Sequence, residues 1–228
     1  MKADVESRRW PERMRRAVAF TNHYPLTTNH RLRVAAFEPR SLVNGPGVRA
    51  VLWVQGCGRR CPGCFNPEFL PREGGRLAAV EEVMSWIRDA ASALATNHQP
   101  PTTLEGITFS GGEPFDQAAG LAVVAQAVRR LGLGVLIFTG YPWEDLEQGR
   151  DLGQRALLAA ADLLVACPYQ RDRPGTHPLL SSANQRLIFL THRYRGYDFG
   201  RNRRLEIRIA PDGTLRTTGF PPPLTTHH

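Results

Sequence analysis

The chain has 228 residues, 42% of them hydrophobic and 22% charged. That composition excludes a disordered polymer and suits one domain burying about 70% of its unfolded surface. No apolar run reaches the ~20 residues of a membrane span, since the longest, Ala156 to Cys167, is broken by Asp162. The net charge of +8 is carried mostly by scattered arginines, a basic surface suited to an acidic partner, and no nucleic-acid module is legible.

Residues 1–30 form a basic extension in which Arg8, Arg9, Arg13, Arg15 and Arg16 surround Trp10, read as a frayed terminus. No stretch has the apolar core of a secretory leader, so a cytoplasmic protein is expected. Arg31 to Phe37 opens with alternating polar and apolar residues and is predicted to be the first strand. The turn Asn44-Gly45-Pro46-Gly47 leads into a buried strand from Ala50 to Gln55. Directly after it come Cys57, Cys61 and Cys64, three of the four cysteines in the chain. Gly56, Gly58, Pro62 and Gly63 punctuate their spacing, so a loop is predicted that folds its sulfurs towards one point.

Four chemistries compete for this loop. A disulfide framework needs an oxidising compartment and a fourth cysteine nearby. Zinc needs a further ligand, for which His177 or His192 is available. Three inert cysteines are a third reading. An iron–sulfur cluster held by three thiolates is the fourth, and it leaves one iron open to a substrate.

Ala78 to Leu94 carries Val80, Val83, Met84, Ile87, Ala91 and Leu94 at helical spacing and is predicted to be a crossover helix. A loop over Asn97 to Thr103 precedes the strand Gly106 to Ser110. At that strand's end, Gly111 and Gly112 allow close backbone approach, Glu113 offers an acceptor for a cationic group, and Pro114 suits a first helical turn. Gln117 to Leu131 is predicted helical and Val135 to Phe138 a strand that ends in Thr139-Gly140-Tyr141. Next come a helix from Leu152 to Ala161 and a strand from Leu163 to Ala166. Cys167 is expected to be a small buried hydrophobe. Ser181 to Arg186 precedes a strand from Leu187 to Thr191, and Asn184, Gln185 and Arg186 receive no role. Arg193 to Tyr197 resembles a glycyl-radical loop only superficially. Leu205 to Ile209 is the last predicted strand, Pro211-Asp212-Gly213 its turn, and residues 221–228 a disordered tail.

Cys57-x3-Cys61-x2-Cys64 with Gly111-Gly112-Glu113-Pro114 resembles the radical S-adenosylmethionine (SAM) superfamily. The flanking NGPGVR and CPGCFN are similar to the small activases of glycyl-radical enzymes, those of anaerobic ribonucleotide reductases included. Gly63 stands where much of the superfamily has an aromatic residue, a departure those activases share. The resemblance spans residues 31–219 and implies an α/β fold, a partial (β/α)6 barrel with a mostly parallel sheet and crossover helices, as a radical SAM domain over residues 31–220. It implies that Cys57, Cys61 and Cys64 hold a [4Fe-4S] cluster, that Gly111, Gly112 and Glu113 hold the amino group of SAM, and that Thr139 and Tyr141 line its adenosine side. The implied activity is reductive cleavage of SAM to a 5′-deoxyadenosyl radical that takes hydrogen from a partner glycyl radical enzyme, with flavodoxin or ferredoxin as electron donor.

Overall fold

The computed structural model describes residues 29–96, 103–201, 205–209 and 212–220. The basic extension up to residue 28, most of the loop before Leu104, Pro211 and the tail lie outside the described residues. Strands β1 (Arg31–Ser41), β2 (Arg49–Val54) and β3 (Arg76–Ala79) precede helix α1 (Val80–Thr96). Then come β4 (Gly106–Gly111), α2 (Ala118–Arg130), β5 (Gly134–Phe138), α3 (Trp143–Gln148), α4 (Leu152–Ala160), β6 (Leu163–Ala166) and β7 (Arg186–Phe189). A hairpin of β8 (Leu205–Ile209) and β9 (Leu215–Gly219) closes the described chain.

Seven strands form one sheet in the order β3-β1-β2-β4-β5-β6-β7. The pairs β2–β4, β4–β5 and β5–β6 are parallel. β1 runs against both β2 and β3, and β7 runs against β6. β3 therefore points the same way as the central four, and the sheet is mostly parallel. Each parallel step needs a crossover, which α1, α2 and the α3–α4 pair provide.

The helices share one face. Ala50, Leu52 and Val54 of β2, Ile107 and Phe109 of β4, Val135 and Ile137 of β5, and Leu164 and Ala166 of β6 lie in one core with Val83 and Ile87 of α1, Leu121, Val124 and Val128 of α2, and Leu157 of α4. Alternate residues of the same strands point to the other face, where Leu136, Leu163 and Val165 meet Leu179, Phe189 and Tyr194. The helical spacing read for α1 is met at Val80, Val83, Met84, Ile87 and Leu94, all buried. Each such large apolar side chain contributes about 1.5–3 kcal/mol by leaving water. Asp162, the residue that interrupts the longest apolar run, is buried at the start of β6. Its carboxylate accepts the Val135 N–H at 2.9 Å and the Thr191 hydroxyl at 2.7 Å, fastening β5 to the chain after β7.

Three short elements differ from the sequence expectations. β3 occupies Ala78 and Ala79, expected to begin the helix, because four residues pair with β1 over Arg31 to Val34. α3 follows Tyr141 where no element was expected. β9 pairs with β8, so the last expected strand is half of a hairpin.

The hairpin is turned inside out. Leu205, Ile207, Ile209 and Leu215 are exposed. Its polar side chains face the sheet: Glu206 accepts the Leu42 N–H at 3.3 Å, Arg208 pairs with Glu38 at 2.7 Å, and Thr218 accepts from the Asn44 amide at 2.8 Å.

Candidate metal centre

The two sequence motifs meet because their strands are neighbours. β2 and β4 pair in parallel from Arg49 and Gly106 to Val54 and Gly111, so their following loops leave side by side. The Gly112 N–H donates to the Val54 carbonyl at 2.7 Å and the Glu113 N–H to the Gly56 carbonyl at 2.9 Å. A Cβ on Gly112 would stand 2.2 Å from the Gly56 oxygen, so only glycine permits this approach. Gly111, at φ +102°, also needs glycine's conformational freedom.

Cys57, Cys61 and Cys64 are half-buried and free of disulfides. The Cys64 N–H bonds the Cys61 carbonyl at 3.1 Å, making a tight turn, and the Arg59 N–H lies 3.4 Å from the Cys57 sulfur. Burial pushes the Cys57 and Cys64 thiols up, so binding a metal there releases protons. Among the described residues no three His, Cys, Asp or Glu side chains are grouped to hold a single metal ion. His177, offered by the zinc reading, accepts the Leu179 N–H at 3.1 Å through Nδ1 and packs on Phe199. A cluster makes a different demand, because each thiolate takes its own iron and N–H groups directed at sulfur tune the potential. A soft donor set of three free thiols in a glycine-rich loop fits that demand.

Glu113 is 1% exposed and caps the short 3-10 turn Pro114–Gln117 that Pro114 opens. Its Oε1 accepts the Phe115 N–H at 3.0 Å and the Thr139 hydroxyl at 2.8 Å, and its Oε2 the Gly140 N–H at 2.8 Å. A carboxylate has about four acceptor places, so Oε2 keeps one. Burial outweighs these donors and raises the Glu113 pKa to about 7. Thr139 accepts the Tyr141 N–H at 3.0 Å, so it serves Glu113 and the Thr139-Gly140-Tyr141 turn at once. The Tyr141 ring carries the Arg59 guanidinium at 3.8 Å, which joins this turn to the cysteine loop.

Three polar residues that sequence reasoning passed over hold the site. Asp116 receives the Gly58 N–H at 3.3 Å and the Tyr141 hydroxyl at 3.0 Å. Gln117 donates to the carbonyls of Arg33 at 3.1 Å and Gln55 at 2.9 Å. Gln55 in turn donates to the Glu68 and Pro71 carbonyls, at 3.1 and 2.8 Å, and pins the return of the cysteine loop. The one available signal was an amide or carboxylate beside each motif.

At the carboxyl end of β6, Cys167 is half-buried with a left-handed φ of +89°, rather than the buried hydrophobe expected. It occupies the strand's exit turn. Gln185 and Asn184 brace that turn by donating to the Cys167 and Pro168 carbonyls at 3.4 and 2.8 Å. Asn184 Oδ1 is buried with no hydrogen bond among the described residues. Buried acceptors are nearly always hydrogen-bonded, to protein, ordered water or a ligand, so this oxygen has a place open for a donor.

A cavity of about 840 Å3 adjoins the cysteine loop on the face away from the helices. Ala36, Trp53 and Ser110, one row across β1, β2 and β4, lie along it, and Phe65, Asn66, Glu68 and Phe69 bound it on the loop side.

The family described as a 4Fe-4S single cluster domain matches residues 43–188, more than half of the chain. The anaerobic ribonucleoside-triphosphate reductase-activating protein of Enterobacteria phage T4 is 29% identical over 154 residues, which cover 65% of this chain and 88% of that protein. The protein of the same name from Vibrio cholerae serotype O1 is 30% identical, over 65% of this chain and 92% of its own. The pyruvate formate-lyase-activating enzyme of Clostridium pasteurianum is 32% identical over 51% of this chain, which spans 47% of that enzyme.

Proposed function

The chain belongs to the 4Fe-4S single cluster domain family, and from that premise we propose that it is a radical SAM enzyme that activates a glycyl radical enzyme. Cys57, Cys61 and Cys64 would hold the cluster, and cluster and SAM together would supply reductive one-electron cleavage of SAM to methionine and a 5′-deoxyadenosyl radical able to take a hydrogen atom from a glycine of the partner.

The observation that carries the reading is the backbone tie between the two motif loops, Gly112 to Val54 and Glu113 to Gly56. It sets a buried carboxylate with one spare acceptor place beside the cysteine loop, as an ammonium group next to a cluster would require. In this reading Gly111 and Gly112 let the SAM amino group approach, and Glu113, charged once that cation arrives, accepts from it. Thr139 and Tyr141 shape the adenosine side, and the buried Oδ1 of Asn184 gives that side a further acceptor. The partner's glycine enters through the cavity over Trp53 and Ser110. An external flavodoxin or ferredoxin supplies the electron, in the cytoplasm. The described residues contain no helix long and apolar enough to cross a membrane. Crossover helices confined to one face are the arrangement of an incomplete (β/α)6 barrel, which we propose as the finer description of the open sheet.

The test is anaerobic. Iron and sulfide are reconstituted, dithionite and SAM are added, and the electron paramagnetic resonance spectrum and released 5′-deoxyadenosine are recorded. The expected result is a cluster signal that changes on adding SAM, with deoxyadenosine formed and then abolished in Cys61→Ala. A cluster indifferent to SAM, or zinc without sulfide, overturns the reading.

A further inference from the structure

Arg59 stands two residues after Cys57 and joins the cysteine loop to the turn after β5. Its N–H lies 3.4 Å from the Cys57 sulfur, and its guanidinium lies 3.8 Å over the Tyr141 ring. The stem borders Gly140, where a Cβ would stand 3.2 Å from Arg59 Cγ and 3.5 Å from Glu113 Oε2. Asp145 pairs with the guanidinium at 3.9 Å, but the Asp145 side chain is 59% exposed. A pair so long and so wet holds little. The aromatic face is the better anchor, because a ring attracts a guanidinium more strongly where water is partly excluded, and the Arg59 side chain is 28% exposed. The ring is itself held: the Tyr141 hydroxyl donates to Asp116 at 3.0 Å, and Asp116 receives the Gly58 N–H at 3.3 Å. Gly58, Asp116, Tyr141 and Arg59 thus close a circuit that begins and ends on neighbouring residues of the loop. Glu113 and Asp116 bring two carboxylates to this side of the loop, and Arg59 is the cation fixed beside them. Arg60, next in the chain, carries the same charge and is exposed.

We propose that Arg59 sets the reduction potential of the metal centre, with Tyr141 as the positioning residue that holds its cation in place. Taking up one electron from an external reductant adds a negative charge within the cysteine loop. A cation fixed nearby favours that charge and raises the potential, as net charge around a cluster does generally. Place matters as much as sign, because the attraction falls with distance and a charge free in water is screened by salt. The ring keeps the guanidinium against the loop; without it, the long side chain swings into solvent. This inference rests on the reading of Cys57, Cys61 and Cys64 as the ligands of a cluster.

The test is a redox titration of the full chain, reconstituted with iron and sulfide and without SAM. Dithionite is added anaerobically with mediators, and bleaching of the visible absorbance gives the potential. Arg59→Met keeps the stem, removes the charge and should lower the potential. Arg59→Lys returns the charge without the flat stack and should recover part of that loss. Tyr141→Phe keeps the ring and should titrate as the native chain does, whereas Tyr141→Leu should lower the potential and add nothing in the Arg59→Met background. Arg60→Met, which removes an equal charge one residue away, should move the potential less than Arg59→Met. An unmoved potential in Arg59→Met, or equal shifts from Arg59→Met and Arg60→Met, overturns the proposal. A Tyr141→Leu chain that folds and titrates as the native one overturns the part given to the ring; should that variant not fold, the arginine series decides alone. A cluster whose potential ignores Arg59 sinks this inference and leaves the reading of the metal centre standing, while a native chain that takes up no cluster sinks both.

Discussion

At the amino ends of β2, β4 and β5 the sheet buries Arg49, and at their carboxyl ends it buries Glu113. All five donors of Arg49 are taken. Nε donates to the Thr108 hydroxyl at 2.7 Å, Nη1 to the Pro46 carbonyl at 3.3 Å and the Tyr194 hydroxyl at 3.0 Å, and Nη2 to the carbonyls of Ile107 and of Gly134, the latter at 3.0 Å. Tyr194 passes the contact on to Glu105 at 3.1 Å. This explains Tyr194 in the sequence that resembles a radical loop: it is a buried brace. Glu113 is held by three donors, keeps an acceptor place, and has its pKa raised towards neutrality. Burial of a charge does not by itself mark a site. Saturation separates a structural charge from one with bonding capacity left for a ligand.

The comparison breaks most visibly at Arg49. Arg49→Met strands the Thr108 and Tyr194 hydroxyls and three carbonyls, and we expect it to cost about 3–5 kcal/mol in urea unfolding, with Arg49→Lys recovering only part because a point charge cannot reach five acceptors. A loss within experimental error would show that the lower network is not structural.

Glu113 sharpens the contrast through pH. Its folded pKa of about 7 lies above the ordinary 4.5. Stability from the protonated form is therefore fully present below pH 4.5 and is lost as pH rises through 7. Relative to Glu113→Gln, the native chain should lose about 3 kcal/mol across that window. Denaturant midpoints of the two proteins that run parallel from pH 4.5 to 8 would place Glu113 with Arg49 as a settled structural charge.

Tyr141→Phe is the smallest break. It removes the hydroxyl that donates to Asp116 but keeps the ring under Arg59, so a loss of about 1 kcal/mol in the free energy of unfolding, read by thermal unfolding, is expected. A loss as large as that of Arg49→Met would mean that the turn after β5 bears the fold rather than the site.

The upper end was the more legible in sequence. Glycine and proline announce backbone geometry locally, which is why the cysteine loop, the Gly111-Gly112 turn and the Pro114 helical start fall where expected. The strand Leu163–Ala166 is a continuous buried run, and it too was placed residue for residue. Short elements were not legible, because β3 and α3 are too short for a hydrophobic period to develop. Arg49 was hidden by its place in NGPGVR, where it reads as part of a turn. Asp116 and Gln117 were hidden by distance, since their partners Gly58, Gln55 and Arg33 lie far back along the chain. Polar contacts of that separation leave no periodic trace.

The tie between Gly56 and Glu113 also sets an order of events during synthesis. The cysteine loop leaves the ribosome first, yet the backbone groups that hold it belong to residues made long afterwards, at the end of β4 and just beyond. Until those emerge, Cys57, Cys61 and Cys64 sit on a loop braced only by its own return, through Gln55 to Glu68 and Pro71. Cluster delivery to a nascent chain would meet a loop closed on one side; delivery after β4 has paired meets a frame closed on both.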